Sequence, residues 1–210
     1  MRLAVALALA TTTAHAGPIS FSSGWKEQRL SLFSSNDYAF GTSLKMTSNG
    51  SVSIAWARVD QGDWDATGAS WDWSVSQSVP ATDLSLKGGD DRNISVYFVF
   101  VPAAVAPSLD GAGIRSLLVR SDVRVVQYAW GGNNPMGTVI RSPYGQAGTG
   151  VTIPLRGVGT GSASENVDLS ADFARAFNDE KGALIGLAVS GDSDDTNSVI
   201  QAAISNLNLR

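Results

Sequence analysis

Hydrophobic and polar positions alternate along most of the chain, in short segments separated by Gly, Pro, Asn and Asp. A period of two places successive side chains on opposite faces, so these segments predict β-strands. The most strand-like segment is 94–101 (ISVYFVFV), which is apolar on both faces. Since such a strand must be covered on both faces, we expect it in the middle of a sheet.

The remaining pattern predicts about ten short strands in total and one helix. The other strand segments are 25–33, 37–46, 51–59, 70–79, 115–130, 138–144, 151–155, 183–190 and 199–209. Asn49-Gly50 is typical of a tight hairpin turn, so residues 37–59 are expected to form a hairpin. The helix is predicted at about 170–178, with Ser170 as its N-cap. The predicted fold is all-β: a two-sheet antiparallel β-sandwich of the jelly-roll type with one short helix.

The first sixteen residues differ in character from the rest. A positive start at Arg2, an apolar run at 3–10 and the small-x-small pattern Ala14-His15-Ala16 predict a cleaved signal peptide over residues 1–16. The mature chain would begin at Gly17 and be periplasmic or secreted. No apolar run is long enough to span a membrane, so no transmembrane segment is predicted. Residues 17–210 show no repeat or linker and are expected to form a single domain.

Composition excludes several classes of chemistry. The only histidine is His15, within the predicted signal peptide, and the chain has no cysteine. Ser-His-Asp and Cys-His catalysis and the usual zinc sites are therefore excluded, and acid–base work would fall to Asp, Glu, Lys or Tyr. The net charge of −4 and the lack of a basic stripe make nucleic acid an unexpected partner.

Two acidic loops are the first candidate site. Asp192, Asp194 and Asp195 form one, and Asp90 and Asp91 form the other. Carboxylates this close repel one another unless they are solvated, protonated or bound to a cation, and calcium prefers oxygen ligands. Each loop borders a strand predicted to be central, so antiparallel pairing of those strands would bring the loops to one rim. The pattern predicts a calcium site from these five residues, with solvated turns as the alternative because the spacing is not that of an EF-hand.

Four aromatic residues form the second candidate site. Trp71 and Trp73 share one face of a predicted strand, and Tyr128 and Trp130 share a face of another. Aromatic rings on a sheet face can stack on sugar rings, so these four are candidate ligand-binding residues. Core packing is the alternative, because a tryptophan buries a large apolar area.

Several motifs taken together resemble a known family. They are Trp71-x-Trp73, Gly89-Asp90-Asp91, Tyr128-x-Trp130-Gly131, Ser142-Pro143, Asp172 with Phe177, and Asp192-x-Asp194-Asp195-Thr196. In this order they resemble the bacterial domain-of-unknown-function family 3047, over roughly residues 20–210. The resemblance implies an exported β-sandwich and no known activity. The last strand is also similar to those that end galactose-binding-like and carbohydrate-binding jelly rolls, an analogy of fold alone.

Three functions follow as hypotheses. The leading one is a non-catalytic exported domain that binds a glycan or a cell-envelope component and is stabilised by calcium. The first alternative is a carbohydrate-active hydrolase that uses paired Asp residues, although the chain has only three glutamates, Glu27, Glu165 and Glu180. The second alternative is a structural or assembly protein of the envelope. No catalytic residue is assigned.

Overall fold

The computed structural model describes residues 17–31, 34–144 and 148–210. The predicted signal peptide and the end of the first predicted strand, at Phe33, lie outside the described residues. Within the described part of the chain, no helix is long and apolar enough to cross a membrane.

Two β-sheets pack face to face, which confirms the all-β sandwich prediction. The seven-stranded sheet has the order β1 (Lys26–Arg29), β4 (Ser53–Arg58), β11 (Ala183–Asp192), β6 (Arg92–Val101), β7 (Arg124–Trp130), β9 (Gly150–Arg156), β8 (Ile140–Arg141). The five-stranded sheet has the order β10 (Gly161–Asp168), β5 (Gly68–Gln77), β12 (Val199–Leu209), β3 (Ser43–Asn49), β2 (Asp37–Phe40). All pairings are antiparallel among these strands except that of β7 with β9, which is parallel.

Strand β6 lies at the centre of the larger sheet, between β11 and β7, as its apolar pattern predicted. Val96, Phe98 and Phe100 point into the core between the sheets. The opposite face, with Tyr97 and Val99, is the outer face of the sandwich. Residues 102–123 cover one end of this outer face, where Leu117 and Val123 pack in a second apolar cluster. The other end stays open, and the candidate site lies there.

The predicted hairpin over residues 37–59 is wrong in its partners. Strand β2 pairs with β3, but β4 belongs to the other sheet. Gly50, at φ 54°, turns the chain from one sheet to the other. Ser48 donates to the carbonyl of Ser51 at 2.7 Å and bonds the Ser193 hydroxyl at 2.7 Å, which ties this crossover to the loop after β11. The turn signal marks a real turn, but its two strands separate because the core lies between them.

The predicted helix is present as α2 (Leu169–Phe177), although its N-cap is Asp168 rather than Ser170. Asp168 Oδ1 accepts a hydrogen bond from the backbone N–H of Ala171 at 2.9 Å. The predicted strand over 115–130 is wrong in its first part, which forms a second helix, α1 (Ile114–Leu118), and only Arg124–Trp130 is a strand. Five residues are too few to display a helical period. Helix α1 carries Leu117 over the outer face of β6 and β7.

Candidate functional site

The two acidic loops meet at one end of the seven-stranded sheet, as predicted from the apolar strands that they border. Strands β11 and β6 are antiparallel neighbours, and Asp192 at the end of β11 pairs with Arg92 at the start of β6. Asp90 and Asp91 directly precede Arg92, and Asp194 follows Asp192 by two residues. We call Asp90, Asp91, Asp192 and Asp194 the acidic rim.

Arg92 holds the acidic rim together. Only 8% of the residue is exposed. Its Nη1 donates to Asp90 Oδ2 at 3.1 Å and to Asp192 Oδ2 at 3.2 Å, and its Nη2 donates to the Tyr97 hydroxyl at 2.9 Å. Its Nε has no partner among the described residues. One guanidinium shared by two carboxylates leaves an excess of negative charge.

Asp91 and Asp194 add to that excess. Asp91 is fully buried and accepts hydrogen bonds from the backbone N–H and the hydroxyl of Thr196, at 2.7 and 2.5 Å. Carboxylate oxygens of Asp91, Asp192 and Asp194 lie within 4.8 Å of one another. Burial raises the pKa of Asp192 to about 8; the charge of Arg92 opposes this shift, and the neighbouring Asp194 and Asp91 reinforce it. Asp192 Oδ1 is buried without a hydrogen-bond partner among the described residues.

The five predicted metal ligands therefore have different surroundings. Asp91, Asp192 and Asp194 form a cluster that could hold a cation. Asp90 is bound instead to Arg92 and to the Tyr144 hydroxyl, which donates to Asp90 Oδ1 at 2.8 Å. Asp195 is exposed, and its backbone N–H donates to Asp91 at 3.4 Å.

A cleft of about 380 Å³ opens beside the acidic rim, on the outer face of the seven-stranded sheet. Its lining includes Asp90, Arg92, Asp192 and Asp194, together with side chains from β6, β7 and β9. This volume is typical of pockets that hold small ligands. Tyr144 forms part of the wall, and its hydroxyl accepts a hydrogen bond from the backbone N–H of Gly88 at 3.1 Å.

A row of polar side chains crosses three neighbouring strands in this region. Gln127 on β7 donates to the Ser95 hydroxyl on β6 at 2.8 Å and accepts from the Thr152 hydroxyl on β9 at 3.1 Å. Gln127 and Thr152 line the cleft. Sequence reasoning missed all three residues. Their signal was a polar residue at an outward position of an otherwise apolar strand, as in ISVYFVFV and RVVQYAW.

The four predicted stacking residues lie in the core. Trp71, Trp73, Tyr128 and Trp130 are each at most 5% exposed. Their rings contact one another, with centroids 5.4 Å apart for Trp71 and Trp73 and 5.6 Å apart for Trp73 and Trp130. The Tyr128 hydroxyl donates to Asp172 on α2 at 2.7 Å. In this packing they fill the space between the sheets and present no ring face to a ligand.

A comparison of the sequence with protein-family models matches residues 23–208 to the family described as protein of unknown function DUF3047. The chain belongs to this family. The residues on which the DUF3047 resemblance was based divide between two places in the fold. Trp71, Trp73 and Tyr128 lie in the core, whereas Asp90, Ser142, Pro143, Asp192 and Asp194 line the cleft.

No curated protein matches the DUF3047 chain in sequence. Among solved structures, the chain aligns with the xyloglucanase domain of NopAA, a type three effector from Sinorhizobium fredii, in complex with cellobiose. The two are 8% identical, the alignment covers 93% of this chain and 97% of that one, and the TM-score is 0.47. A similarity this distant transfers neither a ligand nor an activity.

Proposed function

We propose that this protein is exported and binds a hydroxyl-rich ligand, a glycan or a glycan-bearing envelope component, in the cleft beside the acidic rim. The observation that carries the proposal is that five polar side chains line the cleft: Asp90, Arg92, Gln127, Thr152 and Asp192. Carboxylates and amide oxygens accept hydrogen bonds, whereas guanidinium and amide N–H groups donate them. Sugar hydroxyls do both, so this mixture matches their chemistry better than a uniformly charged or apolar ligand.

Two unpaired polar atoms strengthen the proposal. Arg92 Nε is a donor and Asp192 Oδ1 an acceptor, and neither has a partner among the described residues. A buried polar group without a partner costs about 1–3 kcal/mol. Both residues line the cleft, so a ligand or ion that reached these atoms would recover that cost. Tyr97 and Tyr144 add aromatic surface to the same cleft.

The test is a binding screen of glycans and envelope polymers with matched aromatic variants. Tyr144 lines the cleft, and Phe40 lies on β2 of the other sheet; each is 42% exposed. Tyr144→Ala should weaken binding about tenfold, since an aromatic contact contributes about 0.5–1.5 kcal/mol beyond the area that it buries. Phe40→Ala should leave binding unchanged. A glycan that binds both variants and the wild type equally well would place its site elsewhere.

The proposal includes a calcium site at the acidic rim. The fit rests on the unpaired Asp192 Oδ1 and on the close approach of Asp91, Asp192 and Asp194, which would supply hard oxygen ligands. Millimolar calcium should raise the melting temperature by mass action. Asp194→Asn should abolish the rise, whereas the exposed Asp179→Asn should retain it. If calcium leaves the melting temperature of the wild type unchanged, these residues are turn and ion-pair residues only.

Export rests on the N-terminal pattern alone. Mass spectrometry of the protein from its producing cell should identify Gly17 as the first residue. A full-length cytoplasmic form would contradict this part of the proposal.

A hydrolase is the second candidate, because two carboxylates of the cleft lie close together. Asp90 Oδ2 and Asp192 Oδ2 lie 3.1 and 3.2 Å from the same Arg92 nitrogen, so these oxygens are at most about 6.3 Å apart. Retaining glycosidases hold their two carboxyl groups about 5–5.5 Å apart. Release of reducing ends from a bound oligosaccharide, lost in both Asp90→Asn and Asp192→Asn, would establish this activity. Binding without cleavage supports the leading proposal.

A further inference from the structure

Beyond its polar half, the cleft continues over an apolar surface. A second cavity of about 360 Å³ lies between the outer face of the seven-stranded sheet and α1. Its apolar lining includes Val99 and Val125 from the strands and Ile114, Leu117 and Leu118 from α1. The two cavities adjoin, because they share Ile54, Tyr97, Gln127, Ser142 and Tyr144; we call them the polar half and the apolar half of one groove.

Large apolar side chains stand exposed along this groove. Leu118 in the apolar half is 52% exposed, and Leu30 in the polar half is 51% exposed. Tyr144, at the junction of the halves, is 42% exposed. A ligand of sugar alone would match the polar half and leave the wall at Leu118 in water. A ligand with an apolar part would cover that wall, and removing such surface from water is favourable.

The charged residues of the polar half determine which polar head group a ligand can carry there. Asp90, Asp192 and Asp194 line the polar half against the single cation Arg92, among the described residues of that lining. Arg120, which lines the apolar half, is paired with Asp122 at 2.5 Å, and Lys87 lies over the Tyr144 ring at 5.6 Å. In the protein without bound calcium, a carboxylate or phosphate head would meet these carboxylates with only Arg92 in the lining to offset them. A neutral hydroxyl can donate to the carboxylates without that repulsion.

We propose that the groove binds a neutral amphipathic glycoside. Its sugar lies near Arg92 and Gln127, and its aliphatic chain lies along Val99, Val125 and Leu118. This inference rests on the proposed function, because it places the glycan of that proposal in the polar half and adds the chain. A small amphipathic ligand fits better than a protein surface, because the apolar residues line a concave groove that is continuous with a polar pocket.

The test compares methyl and octyl β-glucoside, both below the micelle concentration, by isothermal titration calorimetry. Each methylene that becomes buried should tighten binding about three- to fourfold, so octyl glucoside should bind at least tenfold more tightly. Leu118→Gln should reduce that preference severalfold without affecting methyl glucoside. Met136 is 67% exposed and lines neither cavity, so Met136→Gln is the matched control and should change nothing.

Each failure has its own signature. Equal affinity for the two glucosides, or an octyl preference that survives Leu118→Gln, would overturn the amphipathic ligand. If oligosaccharides still bind and Tyr144→Ala still weakens their binding, the proposed function stands without the amphipathic ligand. Sodium octanoate that binds as tightly as octyl glucoside in calcium-free buffer would overturn the neutral head. Octanol that binds as tightly as octyl glucoside, with no glycan binding, would overturn the proposed function as well.

Discussion

Arg92 joins side chains that reach it from both acidic loops and from the middle of β6. Its fork geometry matters, because Nη1 contacts two carboxylates while Nη2 contacts the Tyr97 hydroxyl. A lysine has one nitrogen at the end of a flexible chain and cannot hold these three positions at once. The identity of this residue therefore matters more than its charge.

The first prediction compares two Arg→Lys substitutions. Arg92→Lys should lower the free energy of unfolding by about 2–4 kcal/mol, since one ammonium cannot contact Asp90, Asp192 and Tyr97 together and buried acceptors lose their donors. Arg156 pairs with Glu165 at 2.8 Å, but its side chain is 44% exposed. Arg156→Lys should therefore cost less than about 1 kcal/mol. Urea denaturation measures both, and equal losses would show that burial does not set the strength of the Arg92 contacts.

At the scale of single elements, the sequence indicated the positions of the strands more reliably than the face that each strand buries. In β4, Ile54 and Trp56 lie on the outer face, and the small residue Ala55 on the other face lies in the core. Alternation alone does not distinguish the two sides of a sheet when both carry apolar residues. For the same reason the polar residues Gln127 and Thr152 indicate a cleft only once the outer face of the sheet is known.

The second prediction concerns the start of α2. Asp168 caps the first turn through its bond to Ala171, whereas Ser170 lies within the helix. Asp168→Ala should lower the free energy of unfolding by about 1 kcal/mol, because a backbone N–H loses its acceptor. Ser170→Ala should be close to neutral or slightly stabilising, since alanine is the better helix former. Thermal or urea unfolding of the two variants decides between them, and a larger loss in Ser170→Ala would contradict the observed cap.

At the scale of the whole molecule, the acidic rim could be predicted from antiparallel strand pairing, whereas the rest of the groove could not be predicted from the sequence. Antiparallel pairing of the two strands predicted to be central would bring the loops to one rim, and β6 and β11 do pair in this way. The wall of the groove depends instead on α1 and on Tyr144, which approach the sheet from segments remote in sequence. The crossover at Gly50, which separates β3 from β4, is of the same kind. Such arrangements are set by the packing of both sheets around one core and not by any local pattern.

The final prediction concerns stability at alkaline pH and follows from where the tyrosines lie. Burial raises the pKa of Tyr38 to about 12, although its hydrogen bonds with Asn36 and Ser53 oppose the shift. Loss of solvent contact also raises the pKa of Tyr144 to about 12, and burial together with the adjacent Asp172 carboxylate raises that of Tyr128 well above its usual value. Between pH 10 and 12 the unfolded chain therefore releases phenolic protons that the folded protein retains.

Because the folded state then binds more protons, the free energy of unfolding must fall as pH rises through this window. Tyr38 alone should account for a loss of about 1 kcal/mol by pH 11. Urea midpoints at pH 9 and 11 measure the loss, and absorbance at 295 nm should show tyrosinate appearing together with unfolding. Tyr38→Phe, which lacks the titrating hydroxyl, should begin less stable at pH 9, having lost the bond to the Ser53 carbonyl, yet lose less between the two pH values. Full ionisation of the tyrosines near pH 10 in the still-folded protein would contradict the burial from which these shifts arise.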